Sequence, residues 1–138
     1  MSNVNLEMAQ KALAAAIAKA EEIGSPSSIT IIDSGRELVA FGRMNGALLA
    51  SVEISQAKAY TARSLNSATK DVGPWAQPGG PLYGIETAHM AAGRALVTFG
   101  GGVPITVGGE IIGAVGVAGG SPDQDHEVAS AGANSLAD

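Results

Sequence analysis

Two short runs of β-branched residues, each doubled back by tight-turn residues, constrain the fold of this chain more than any other feature. Ser28-Ile29-Thr30-Ile31-Ile32 leads into Asp33-Ser34-Gly35-Arg36 and then Glu37-Leu38-Val39-Ala40-Phe41. A β-hairpin is therefore predicted over Ile29–Asp33 and Leu38–Arg43. A second follows, because Val103–Val107 and Glu110–Val117 flank Gly108-Gly109, a strong two-residue hairpin signal.

Helical patterns surround the hairpins. From Leu6 to Ile23 the residues Leu6, Ala9, Leu13, Ile17, Ala20 and Ile23 recur at helical spacing, with Asn3 or Asn5 as the cap and Gly24-Ser25-Pro26 as the stop. Leu48 to Asn66 contains neither Gly nor Pro and reads as a second helix. On it Glu53, Gln56, Tyr60 and Arg63 form a polar stripe, and Val52, Ser55, Ala59 and Ala62 a face of small residues. Ser121-Pro122 opens a last, Ala-rich helix as cap and first residue. Between these lies Asp71 to Ile85, with too many glycines and prolines for a regular element. It carries Trp75 and Tyr83 and reads either as a lid or as an ordered surface loop anchored by Trp75. Glu86–Ala95 is expected to make a helical turn, and Leu96–Phe99 a strand.

Composition bounds the class. The 138 residues suit one domain, and 46% apolar residues can bury a core, but only 4% are aromatic, so small aliphatic side chains and 19 glycines must fill it. A formal charge of −5 argues against nucleic acid and acidic membrane surfaces as partners. The absence of cysteine excludes disulfides, thiolate nucleophiles and covalent haem attachment. The first ten residues do not resemble a signal peptide, and no run of about 20 apolar residues occurs, so a cytoplasmic protein is expected.

Five motifs in order, Ile32-Asp33-Ser34-Gly35, Phe41-Gly42-Arg43-Met44-Asn45-Gly46-Ala47, Ala57-Lys58-Ala59-Tyr60-Thr61-Ala62, Gly101-Gly102-Val103-Pro104-Ile105 and Gly113 to Gly120, resemble the GlcG/HbpS family over nearly the whole chain. That family is also called the haem-degrading or PduO C-terminal-like domain. The resemblance implies an α+β fold, an antiparallel sheet flanked by helices with a profilin-like or PAS-like outline, and homo-oligomeric assembly. It implies haem or corrinoid association for some members and enzymatic roles in aromatic degradation for others.

Individual residues carry the candidate chemistry. The Gly101 and Gly102 N–H groups, in a triplet with Gly100, could form an anion nest or oxyanion hole, or the triplet could serve a tight strand entry. Arg43, where strand becomes loop, has the fork to hold a carboxylate or propionate, or to pair with Glu37 or Asp33. Lys58 and Tyr83 are further ligand-binding candidates, although a lysine among apolar neighbours commonly snorkels to solvent. Glu53 is a candidate general base or an ordinary exposed helix glutamate. His89 is a candidate acid, base or iron ligand, imidazole being the best such ligand without cysteine. His126 reads as a solvated residue, and the two histidines lack zinc-site spacing.

Two functional classes remain. One is an oligomeric protein that binds a small molecule, haem or a related tetrapyrrole, non-covalently. The other is an enzyme acting on a small unsaturated or amino-substituted carboxylic acid, with Arg43 as carboxylate clamp, Gly101 and Gly102 as oxyanion donors and Glu53 or His89 moving the proton. The Ala59/Ala62 face suits an interface between copies.

Overall fold

The computed structural model describes residues 3–137. Helix α1 (Leu6–Glu22) begins at Asn5, whose side chain accepts the Met8 N–H at 2.8 Å. Strands β1 (Ser28–Asp33) and β2 (Leu38–Arg43) form the first hairpin. Helix α2 (Ser51–Leu65) starts at Ser51 rather than Leu48, which leaves Leu48 and Leu49 exposed ahead of it. A short helix α3 (Thr69–Val72) and 3-10 turns at Gly73–Ala76, Ile85–Thr87 and Met90–Ala92 occupy the breaker-rich region. Strands β3 (Gly102–Val107) and β4 (Glu110–Ala118) form the second hairpin, and helix α4 (Pro122–Asn134) closes the chain with a capping box between Ser121 and Gln124. Leu96–Phe99 is not a strand: the Val97 N–H is donated to Thr61 Oγ1 of α2 at 2.9 Å instead of to a neighbouring strand.

The four strands make one antiparallel sheet in the order β2-β1-β4-β3. Alternation sorts its side chains. Ile29, Ile31, Val115 and Val117 meet α1 and α4, where Ala9, Ala12, Ala16 and Ala20 are the buried stripe. This stripe is narrower than the expected one, since Leu6 is exposed and Leu13 and Ile17 only border the core. Alanines suffice there because the two helices lie close: a Cβ on Gly132 of α4 would sit 3.1 Å from the Ala12 carbonyl oxygen.

The opposite face carries Thr30, Ile32, Ala114 and Gly116 toward α2. A Cβ at Gly116 would fall on the Ser55 carbonyl and 2.5 Å from the Ala59 nitrogen, so the helix backbone rests directly on β4. Ala59 and Ala62 are fully buried beneath it against Ile32 and Ala114. This corrects the expectation that they serve an interface between copies: the small face is used within the chain. Hydroxyl pairs pin the same seam, Ser28 to Ser51 at 2.7 Å and Thr30 to Ser55 at 2.8 Å. Helix α2 packs on β4, β3 and β1 and leaves edge strand β2 uncovered on this side.

Lys58 does not snorkel. It is 1% exposed, and its Nζ donates to Asp125 Oδ2 and to the Val117 carbonyl, each at 2.9 Å, with the Phe99 ring 4.9 Å away. Burial pushes the amine below the ordinary lysine range, and the Asp125 partner acts in the other direction. Asp125 is itself buried and takes the Gly120 N–H on its other oxygen at 2.9 Å. The pair joins α2, the end of β4 and the start of α4.

Two stability experiments follow. Gly116→Ala must lift α2 off β4 and is expected to cost about 2–3 kcal/mol in urea denaturation, whereas Gly35→Ala, whose nearest neighbour is the Asp33 carboxylate at 3.4 Å, should stay within about 0.5 kcal/mol of wild type. Asp125→Ala leaves a buried ammonium alone and should cost about 3–5 kcal/mol, more than the double change Lys58→Met/Asp125→Leu, which buries no lone charge. Equal losses for single and double variants would contradict this reading of the pair.

Candidate functional site

The side of the sheet that α2 leaves open holds a cleft of about 280 Å³. Thr30, Ile32 and Leu38 line it from the strands, Glu53, Gln56, Ala57 and Tyr60 from α2, and Arg36 and Gly93–Ala95 close one end. Its placement follows from the hairpin. Asp33 Oδ1 accepts the N–H groups of Gly35 and Glu37 at 2.9 and 3.0 Å, so the turn is tight, and Arg36 is held with φ at +69°. A non-glycine residue in that left-handed conformation costs roughly 1–2 kcal/mol. The strained turn aims the Arg36 guanidinium back over α2, where Nη1 donates to Tyr60 Oη at 3.1 Å and Ser64 Oγ at 3.2 Å.

Tyr60 is the hub of the cleft. Its Oη lies 2.7 Å from His89 Nδ1, and the two rings meet edge to face at 5.6 Å. The Arg36 and Arg94 guanidiniums both lie against its ring, 4.8 and 4.3 Å from the centre. Arg94 also donates to the Arg36 carbonyl at 3.2 Å, which holds the segment after His89 against the hairpin turn. Among the described residues neither guanidinium has a carboxylate within 4.0 Å. Two cations drawn together by one aromatic ring, and facing a concave surface, suit an anion, and arginine forks suit carboxylates best.

The structure brings together only some of the residues singled out from sequence. Glu53 lines the cleft and is exposed, and His89 reaches it through Tyr60. Arg43 shares this face of the sheet, since its partner Ser28 bonds to Ser51 of α2, but it stands at the far end of β2, exposed and unpaired with Glu37 or Asp33. At about 3.3 Å per residue it lies some 17 Å along the strand from Leu38. The arginines at the cleft are Arg36 and Arg94. Tyr83 belongs to a shallow hollow of Pro81–Ile85. It is 65% exposed and the Trp75 side chain is 59% exposed, which is not the packing of an anchor, and the segment that borders the cleft is Gly93–Ala95.

The glycine triplet serves packing instead of an oxyanion hole. The Gly102 N–H is donated to Thr69 Oγ1 at 2.9 Å, and a Cβ there would fall on the Lys58 carbonyl. Gly101, at φ +133°, passes so close to Lys58 that a Cβ would sit 2.7 Å from Nζ. Lys58 is enclosed by protein partners, away from the cleft. His126 is half-buried, not solvated: its Nδ1 is enclosed without a hydrogen-bond partner, and burial pushes its pKa below the usual imidazole value. The polar stripe of Glu53, Gln56 and Tyr60 is legible in sequence, but that it faces the Arg36 turn is a tertiary fact. Nothing in the sequence marked Arg94.

The chain is matched over residues 4–134 by the family described as Haem degrading protein HbpS-like. It is 38% identical over 129 residues to an uncharacterized 15.0 kDa protein of the dhaT-dhaS intergenic region of Citrobacter freundii, covering 94% of this chain and 89% of the relative. Among solved structures it is similar to the Klebsiella pneumoniae protein ORFY, with a TM-score of 0.89 at 32% identity over 98% of this chain and 91% of that one. It is also similar to the PduOC:Heme complex, with a TM-score of 0.88 at 31% identity over 97% and 95% of the two chains. No helix of the described residues is long and apolar enough to cross a membrane. The motif order, the four-stranded antiparallel sheet and these likenesses agree, and the chain belongs to the HbpS-like, or GlcG/HbpS, family.

Proposed function

We propose that this protein is a cytoplasmic homo-oligomer that binds haem or a related tetrapyrrole non-covalently through the cleft between α2 and β2. The observation that carries the reading is the pair of guanidiniums, with no carboxylate within 4.0 Å among the described residues, around the phenol that holds His89. These residues fit the group. Arg36 and Arg94 suit propionates. With Nδ1 occupied by Tyr60, His89 has Nε2 left for a metal, the arrangement in which the second ring nitrogen of a metal-binding histidine is fixed by a hydrogen bond. The PduOC structure in complex with heme supports the same ligand class. The iron of a bound haem would supply ligand-binding or redox chemistry, and the protein's part would be to hold the acid groups and orient the imidazole. At about 280 Å³ the cleft takes the acid-bearing edge of such a molecule, the rest lying beyond its mouth. Exposed Leu38, Leu48 and Leu49, at the two ends of the uncovered β2 side, support assembly with further copies.

The cleft's volume and Glu53 in its wall favour a second reading, turnover of a small carboxylic acid held by Arg36 and Arg94 with Glu53 or His89 moving the proton. Haem titration separates the two. On the first reading a Soret shift saturates at one haem per chain, Arg36→Ala and Arg94→Ala each weaken binding about tenfold or more, His89→Ala changes the Soret position, and light scattering gives a multiple of the chain mass. Absence of stoichiometric haem binding, with turnover of a small acid that Glu53→Gln slows about a hundredfold, would favour the second. A monomer at micromolar concentration would overturn the assembly.

A further inference from the structure

The two ends of the cleft differ in charge, and the register of α2 on the sheet sets which residues stand at each. Ser51 bonds to Ser28, Ser55 bonds to Thr30 and Ala59 packs with Ile32, so α2 runs alongside β1 toward the β1–β2 turn. Tyr60 therefore lies at the turn, where Arg36 and Arg94 rest on its ring. Glu53, between Ser51 and Ser55, lines the opposite end, level with the first half of β1. Glu53, Gln56 and Tyr60 stand at i, i+3 and i+7 and share one stripe of the helix. Between the ends, Ile32, Leu38 and Ala57 offer carbon surface. Among the described residues Glu53 has no cation within 4.0 Å, Arg43 on the same face of the sheet included, and neither Glu53 nor Gln56 makes a side-chain hydrogen bond.

We propose that the cleft is a zwitterion site: Arg36 and Arg94 hold a carboxylate, and Glu53, with Gln56 as second acceptor, holds a primary ammonium at the other end of the same molecule. The inference rests on the reading of the cleft as a site for a small carboxylic acid and names the class, an ω-amino acid. The haem reading uses the arginine end alone, so the Glu53 end separates the two. Length follows from the helix. At a rise of about 1.5 Å per residue Glu53 and Tyr60 are roughly 10.5 Å apart along α2. A charge-assisted bond of about 2.8 Å at each end leaves roughly 5 Å between the charged groups of the ligand. An extended γ-amino acid has that reach, and an α-amino acid falls short of it. Glu53 is the specificity-determining residue: it pairs with an ammonium, repels a second carboxylate and gains nothing from a methyl group. Because Glu53 is exposed, solvent screens the pair and the preference is several-fold.

Three molecules of one length test the assignment. γ-Aminobutyrate, valerate and glutarate share a carboxylate and a carbon chain and differ only at the far end, which is an ammonium, a methyl group or a second carboxylate. Their affinities for the full-length protein are read from backbone amide shifts of the ¹⁵N-labelled chain, a measurement suited to weak ligands. The wild type should bind γ-aminobutyrate about fivefold tighter than valerate, and valerate tighter than glutarate. Glu53→Gln should bring the three affinities together, and Glu53→Lys should reverse their order and place glutarate first. Arg36→Ala should weaken all three. Equal affinities in the wild type, or an order that Glu53→Lys leaves unchanged, would overturn the zwitterion site and leave the small-acid reading standing. Binding of none of the three would overturn both.

Discussion

Because Gly116 has no side chain, the backbone of α2 comes down onto β4 at Ser55 and Ala59, and the rest of the architecture is arranged around that contact. A helix this close covers β1, β4 and β3 but not β2, so the face of β2 carrying Leu38 remains open. The same approach buries Lys58, whose stem would otherwise reach solvent, and obliges it to find Asp125 and the Val117 carbonyl inside. The entry to β3 must then pass Lys58 without a side chain, and Gly101 and Gly102 stand there. Small residues at the seam, a buried ion pair and a glycine triplet are three results of one interhelix–sheet distance.

The cleft is the open end of this arrangement. Seating α2 deeply brings Tyr60 to the level of the β1–β2 turn, and the left-handed Arg36 there directs its guanidinium onto the phenol. Backbone strain of roughly 1–2 kcal/mol thus falls at a residue that lines the cleft. Arg94 arrives from an irregular segment fastened by its bond to the Arg36 carbonyl. Two like charges are held together with no carboxylate within 4.0 Å among the described residues, an arrangement suited to an anion, and His89 lies on the other side of the same hydroxyl.

The two hairpins, the long helices and their caps were legible because each depends on local signals: Gly108-Gly109, Asn5, Ser121-Pro122. The resemblance of five ordered motifs identified the family. The site was less legible because it depends on pairings across the fold. Glu53 and His89 were found as chemistry-bearing residues and do border the cleft, directly and through Tyr60. Arg43 reads as a ligand group because it ends a strand, whereas the positive φ of Arg36 in the turn leaves no mark in sequence. Lys58 and Gly102 looked like ligand groups because their partners, Asp125 and Thr69, are remote in the chain. Leu96–Phe99 has strand composition, yet its backbone bonds to a helix side chain, a tertiary contact that composition does not encode.

The central claim is the location of the ligand site between α2 and the edge strand β2. Backbone amide shifts of the ¹⁵N-labelled protein, followed through a titration with metal-free protoporphyrin IX, map that location without assuming a metal ligand. The expected changes concentrate at Arg36, Leu38, Gln56, Tyr60, His89 and Arg94 and spare Arg43, Tyr83 and Gly101–Gly102. Changes centred on Arg43 or on the glycine triplet, with the Arg36 turn unmoved, would contradict the assignment.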